Sequence, residues 1–349
     1  MNGAAFPCQD ARRSGIIMKF KENISLAAFS NYKIGGPARF FFEAKGEREI
    51  AWAMKEAKRM RIPVFVLAGG TNILMDDGGF AGLVLRPTMR KIRMRRGAVK
   101  GSVEVEADAG ASMSELLGFA AQRSLAGFEW AGGLPGTVGG AVRGNAGCFG
   151  GEMKDRIVSV RSFDPRTMKV RTRTVKQCAF GYRDSVFKQL EKRKGGGEIV
   201  LSAAFRLSGG DANAIVREAK KRIAYRREHQ PLEYPNIGSM FKNVPLETLH
   251  SKGGAKYRAA VTAGELLYKG TRFSVKMDPF PMIAAAKLIS EAGLRGVSMG
   301  GAMISPKHPN FIVNALGASS WDVAVLMLLV KEVVRRKFGV RLEEEVQMI

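Results

Sequence analysis

Strands and helices that mix without strict alternation predict an α+β chain or mixed α/β layers. Three observations carry that expectation. Short apolar or alternating runs are bounded by glycine and proline, five segments carry apolar residues at helical spacing, and two glycine-rich loops lie in the first half. Glu47–Met60 has helical spacing and stops before Ile62-Pro63. "VFVLAGG" is a short strand running into a glycine turn, and "FAGLVLRP" is a second strand that Pro87 ends. "SVEVEADAG" alternates as a half-buried strand does. Ser112 to Ser124 reads as a helix with Ser112 as N-cap and Glu115 three residues on. "IVSVRSFDP" and "MKVRTRTV" form a strand pair about an Asp-Pro turn, and "EIVLSAAFRL" is a further strand. "SGG" after it marks a domain boundary near 209.

The second half opens on a helix from Asp211 to Arg227, basic on one side, followed by the proline-bearing loop "QPLEYPNIGS". "PMIAAAKLISEAGL" reads as a helix, "NFIVNA" as a strand, and 320–338 as a long helix. "VRLEEEVQMI" reads as a last strand. Trp321 to Val334 is the most apolar run, but Asp322, Lys331 and Glu332 interrupt it well short of the roughly 20 residues that span a bilayer. A buried helix is the expectation there. Residues 1–17 lack the apolar core of a signal peptide and read as a loose tail, with Met18 as a candidate start.

The chain has 349 residues, long enough for two or three domains. Three cysteines far apart, with no C-x-x-C, argue against a disulfide framework or zinc ribbon and fit a reducing cytoplasm. Three histidines without metal spacing make a metal site unexpected. The net charge of +24 favours anionic partners: nucleic acid, phosphorylated cofactors or acidic metabolites. No aromatic-interleaved basic strand is present, and charge alone leaves nucleic-acid binding open.

The first glycine loop, "LAGGTNILMDDGGFAG", follows a strand, and successive N–H groups in such a turn can form a concave anion site. The second, "GLPGTVGGAVRGNAGCFGG" (133–151), has eight glycines in nineteen residues. Its G-x-x-G-x-x-G spacing is neither the Rossmann fingerprint nor a P-loop. Either loop alone is equally well a structural turn. Together in a basic chain they point to a nucleotide diphosphate, with glycine admitting the ligand where a Cβ would collide.

These loops belong to an ordered set of motifs: "NYKIGGPARF", "LAGGTNILMDDGGFAGLVL", "GLPGTVGGAVRGNAGCFGGEM", "FGYRDSVFK", "RREHQPLEYPNIGSMFKN", "AAKLISEAGLRG", "KHPNFIVN" and "LEEEV". The set resembles the UDP-N-acetylenolpyruvoylglucosamine reductase family from residue 19 to the C-terminus. The resemblance implies an α+β chain in which 18–209 is a PCMH-type FAD-binding domain of two α/β subdomains. It makes 210–349 a C-terminal α+β substrate-binding domain, with an insertion at about 244–281 whose role as excursion, lid or contact stays open. FAD would be bound non-covalently, its pyrophosphate on Gly69, Gly70, Thr71 and Asn72. Gly133, Pro135, Gly136, Thr137, Gly139 and Asn145 would approach the rest of it.

The resemblance further implies NADPH as hydride donor, a UDP-sugar substrate carrying an enolpyruvyl ether, and a place in peptidoglycan precursor synthesis in the cytoplasm. Neither nucleic acid nor membrane is an expected partner. A monomer is expected, with an oligomer left open. By motif position Arg183 would grip the substrate carboxylate, Ser239 would deliver a proton, and Glu345 would steady the enolate. Each has a plainer alternative: Arg183 pairing with Asp184, Ser239 as a turn serine, Glu345 in a solvated acidic patch. Tyr182, Lys242 and Asn243 are further substrate contacts by the same resemblance, and Asn310 and Arg226 are softer candidates.

Overall fold

The computed structural model describes residues 18–96, 102–191, 196–250 and 254–349. The expected tail at 1–17 lies outside the described residues. The first half holds two sheets. Lys21–Ser25, Pro37–Ala44, Phe80–Pro87 and Val64–Val66 lie side by side in that order, the first pair antiparallel and the rest parallel. The helix Glu47–Met60 crosses over this sheet and buries Ile50, Ala53 and Ala57 against Leu83 and Leu85. Two glutamates in its first turn and two basic residues in its last suit the helix dipole, and Arg61 ends it in the left-handed region.

The second sheet is antiparallel: Lys169–Thr174, Ile157–Asp164, Ile199–Gly209, Ser102–Asp108 and Ile92–Arg96. The Asp-Pro hairpin is present between Ile157–Asp164 and Lys169–Thr174. The helix Met113–Ala121 packs on this sheet with the expected capping box between Ser112 and Glu115. Phe163, Ile199 and Leu201 join the core of the first sheet, so the two sheets share apolar packing.

Within the glycine segment, Val138–Gly144 forms a short helix where a loop was expected, closed by Asn145 in the left-handed region. The helix Ala212–His229 opens the unit expected over 210–349, yet it lies against the first half. Gly132 sits so close to the carbonyl of Ala219 that a Cβ there would approach it to 2.4 Å.

The second half folds about the helix Ser320–Phe338. That helix is not buried all round. Val323, Leu326, Met327, Val330, Val334 and Phe338 face the core, whereas Trp321 is 65% and Leu328 64% exposed. The apolar run is broader than the core stripe, which is why the sequence suggested full burial. The segment read as a helix from Pro281 starts at Ala285, because Met282–Ile283 pairs as a strand with Val244–Pro245 and with Val275 and Lys276. The last ten residues give a strand only at Gln347–Met348. Upstream, Glu344 makes a single bridge to Phe241, and no ladder forms.

The segment 244–281 is part of the core. Leu246, Ala260, Leu266, Phe273 and Val275 are buried in the same cluster as the long helix. Phe273 is wholly enclosed and meets Phe338 edge-on at 5.5 Å. Phe273→Ala is expected to cost about 3–5 kcal/mol through lost burial and a residual cavity. Urea unfolding followed by tryptophan fluorescence checks it, and a midpoint equal to wild type contradicts it.

Candidate functional site

The chain's last residues run back onto the first glycine loop. Gln347 and Met348 pair in parallel with Ile73 and Leu74. Gln347 N–H donates to the Asn72 carbonyl at 3.1 Å, and Asn72 Nδ2 donates to the Glu345 carbonyl at 3.1 Å. Asp76 N–H donates to the carbonyl of Ile349 at 2.7 Å. On the other side, Glu345 N–H donates to the Met240 carbonyl at 2.8 Å. Residue 345 is thereby held between the first glycine loop and the 238–241 turn.

Arg183 reaches the same place from the first half. It lies in a tight turn, not on a strand. Gly181 and Asp184 exchange backbone bonds of 3.0 and 3.2 Å across Tyr182 and Arg183. Arg183 takes a φ of +54°, a conformation that non-glycine residues seldom adopt and that marks sites of functional constraint. Its Nε donates to Glu345 Oε1 at 2.6 Å and its Nη2 to the Gly147 carbonyl at 2.8 Å. Burial opposes its charge, but Glu345 and Tyr182 more than compensate and hold its pKa above the usual value. Asp184 instead accepts from Gln189 Nε2 at 2.8 Å, so the local pairing of Arg183 with Asp184 is absent.

The three consecutive glutamates are not one solvated patch. Glu343 pairs with Lys242 at 3.0 Å, Glu344 with Lys331 at 2.7 Å, and Glu345 with Arg183. Ser239 is half-buried between Gly238, at φ +86°, and Met240. Its hydroxyl has no hydrogen-bond partner among the described residues. The turn itself is pinned by Asn310, which accepts from Phe241 N–H at 3.1 Å and donates to the Phe241 carbonyl at 2.8 Å. Asn310 is 3% exposed and is a clamp, not a cleft-lining group.

Tyr182 Oη accepts from Asn243 N–H at 3.3 Å, and burial raises its pKa. Its ring meets Phe280 edge-on at 5.4 Å, so the segment expected as an insertion touches this turn. The Asn243 side chain accepts from Ala285 N–H at 3.2 Å. Asn145 departs from its expected role. It is fully enclosed, donating to Glu152 and Gly181 and accepting from Lys154 N–H, so its amide is spent inside the protein. It supports the Arg183 turn from behind. Arg226 is likewise internal, donating to the Gly132 carbonyl at 3.0 Å and to Cys148 Sγ at 3.0 Å. Burial raises the Cys148 pKa against the pull of Arg226 and Arg183.

The two glycine loops touch. A Cβ on Gly69 would come within 2.9 Å of Gly136 Cα, and one on Gly136 within 2.9 Å of Thr71 Oγ1. Gly70, at φ +63°, leaves no room for a Cβ against the Phe29 carbonyl, and Gly139 none against Ala109. These glycines therefore have a reason within the chain itself: they let two loops and their supports close up, where the sequence alone suggested ligand approach. Gly133 and Pro135 lie exposed at the rim of the second loop.

The closed loops still have polar groups to spare. Among the described residues the N–H groups of Gly69, Gly70, Thr71 and Asn72 donate to no protein acceptor. Thr137 Oγ1 is buried without a partner. Beside them a cavity of about 640 Å³ runs between the two sheets, lined by Val66, Ala68, Thr137, Gly139, Gly140, Arg143, Glu198 and Gln347. A run of unpaired N–H groups, an orphan hydroxyl and a long cavity fit a dinucleotide such as FAD. Sequence reasoning missed Lys188, whose Nζ donates to the Arg183 carbonyl at 3.1 Å, and the Arg143–Glu191 ion pair at the cavity wall. The motif "FGYRDSVFK" contains Lys188 but gives no sign that its side chain folds back on the turn. Among the described residues no group of three His, Cys, Asp or Glu could hold a metal.

Residues 38–173 match the model of an FAD-binding domain, and 230–349 match the C-terminal domain of UDP-N-acetylenolpyruvoylglucosamine reductase. A reductase of that name from Lactobacillus johnsonii is 35% identical over 97% of both chains, and one from Streptococcus agalactiae is 35% identical over 96% of this chain and 95% of its own. The crystal structure of the Thermus caldophilus reductase superposes with a TM-score of 0.68 at 27% identity, over 95% of this chain and 99% of that one. With its FAD-binding and C-terminal domains both matched, and that similarity running nearly end to end, the chain belongs to the UDP-N-acetylenolpyruvoylglucosamine reductase family.

Proposed function

We propose that this chain reduces the enolpyruvyl ether of UDP-N-acetylenolpyruvoylglucosamine to UDP-N-acetylmuramate, a peptidoglycan precursor, with NADPH as hydride donor and non-covalent FAD between them. The observation that carries the reading is the Arg183–Glu345 contact, made across the two halves and one residue along from the unpaired hydroxyl of Ser239. Bound FAD would supply the chemistry of hydride transfer between NADPH and the substrate double bond. The Thr137 hydroxyl in the cavity and the N–H groups of Gly69 to Asn72 beside it would hold its polar groups.

Arg183 keeps one nitrogen, Nη1, clear of protein partners among the described residues, and it can receive the substrate carboxylate as negative charge builds there. Glu345 holds the guanidinium in plane and lies beside the same centre. Ser239 delivers the proton to the carbon next to the carboxylate. A serine hydroxyl is a weak acid, so its placement against a strongly basic carbon matters more than its pKa. Tyr182, Lys242 and Asn243 line the approach and are proposed to meet the rest of the nucleotide. The UDP-sugar is the proposed partner and the cytoplasm the proposed location of the reaction.

Purified protein with FAD is expected to be yellow, to bleach with NADPH under anaerobic conditions, and to regain its colour on adding the enolpyruvyl nucleotide. A flavin that NADPH reduces but this substrate cannot reoxidise overturns the reading. Ser239→Ala is expected to leave reduction by NADPH intact and slow reoxidation by about 10²–10⁴-fold, the usual worth of a positioned proton donor. Stopped-flow absorbance of each half-reaction measures it. Gly69→Val is expected to force the glycine loops apart and abolish retention of FAD through gel filtration, since its Cβ has only backbone to meet.

A further inference from the structure

Three cations around the candidate site each have an acid of their own: Arg183 has Glu345, Lys242 has Glu343, and Arg143 has Glu191. Lys188 differs from them. It stands in the short helix Val186–Glu191, half-buried, and its ammonium has no carboxylate partner among the described residues. Its Nζ makes one hydrogen bond among the described residues, 3.1 Å to the carbonyl of Arg183. Burial, with Arg143 and Lys242 nearby, lowers its pKa, while Glu345 and Asp184 partly offset them.

Two physical points follow. The left-handed backbone at Arg183 needs surroundings that hold it, and a charged donor on its carbonyl is a strong one. A half-buried ammonium beside two other cations is also costly unless an anion joins it. Among the described residues no carboxylate pairs with it directly, and a ligand anion would lower that cost.

We infer that Lys188 is a positioning residue of this site: its ammonium fixes the Arg183 carbonyl, sets the aim of that guanidinium, and adds positive charge that the substrate carboxylate answers. The inference rests on the proposed reductase reading. It adds a residue that is not adjacent to Arg183 in sequence and acts through it.

The test uses the FAD holoenzyme in anaerobic stopped flow, with wild type, Lys188→Met and Lys188→Arg side by side. Methionine keeps most of the buried stem and removes the charge. Lys188→Met is expected to keep its rate of reduction by NADPH within about twofold and to slow reoxidation by saturating enolpyruvyl nucleotide about 10- to 100-fold, as for loss of a charge-stabilising group. Lys188→Arg is expected to restore most of that loss, which a role in packing alone does not predict. Unchanged reoxidation in Lys188→Met overturns the inference, as does a loss shared equally by both half-reactions. If Lys188→Met cannot hold FAD, Lys188→Arg decides: near-normal reoxidation supports the inference, and a large loss overturns it. Wild type reports separately on the reductase reading. Failure of its reoxidation ends both proposals, whereas normal wild-type reoxidation with an unaffected Lys188→Met ends this one alone.

Discussion

The site depends on one piece of backbone pairing. Gln347 and Met348 lie parallel to Ile73 and Leu74, and Asn72 and Asp76 add bonds on either side. This short parallel contact is the point where the chain's last residues meet its first glycine loop. Without it, Glu345 has no fixed distance to Arg183, which comes from a turn some 160 positions earlier. A side-chain pair that close cannot hold two domains by itself, because ordering two long side chains costs much of what the pair gains. Backbone bonds set the spacing, and the ion pair uses it.

The electrostatics follow from that placement. Three successive glutamates in one extended segment would repel one another if all faced solvent on one side. Here they part: Glu343 goes to Lys242, Glu344 to Lys331 and Glu345 to Arg183. Of the three, the last pair is the one with both side chains mostly enclosed. The +24 charge of the whole chain raises the local concentration of anionic ligands but does not aim them. The position of the Arg183 guanidinium comes from its turn, which Asn145 and Glu152 support from behind and Lys188 holds from the side.

Much of this was legible in the sequence, and the exceptions have physical causes. Helix Glu47–Met60 and the capping box at Ser112 were readable because local spacing and local caps determine them. Asn145 was read as a cofactor contact, yet its side-chain amide bonds within the protein. A polar residue in a glycine-rich loop looks available, and only the fold reveals that its amide is consumed by Glu152, Gly181 and Lys154. The glycines carry a second cause besides ligand approach. Their rarity of side chains was plain, but sequence cannot distinguish room for a ligand from room for another loop, and Gly69 faces Gly136. The final strand was overcalled because alternation in "VRLEEEVQMI" mimics a ladder, whereas its partners lie on two different elements. Lys188 lies within a quoted motif, but a lysine there is ordinarily a solvated one, and the sequence did not show its side chain folding back on the turn.

The tie between the chain's last residues and its first glycine loop has a temporal meaning. Synthesis runs from the amino terminus, so the FAD-binding half can fold while the rest is still being made. Gln347 at the cavity wall and Glu345 are made only after that half. A nascent chain can therefore own its glycine loops well before it owns the segment that pairs with the first of them.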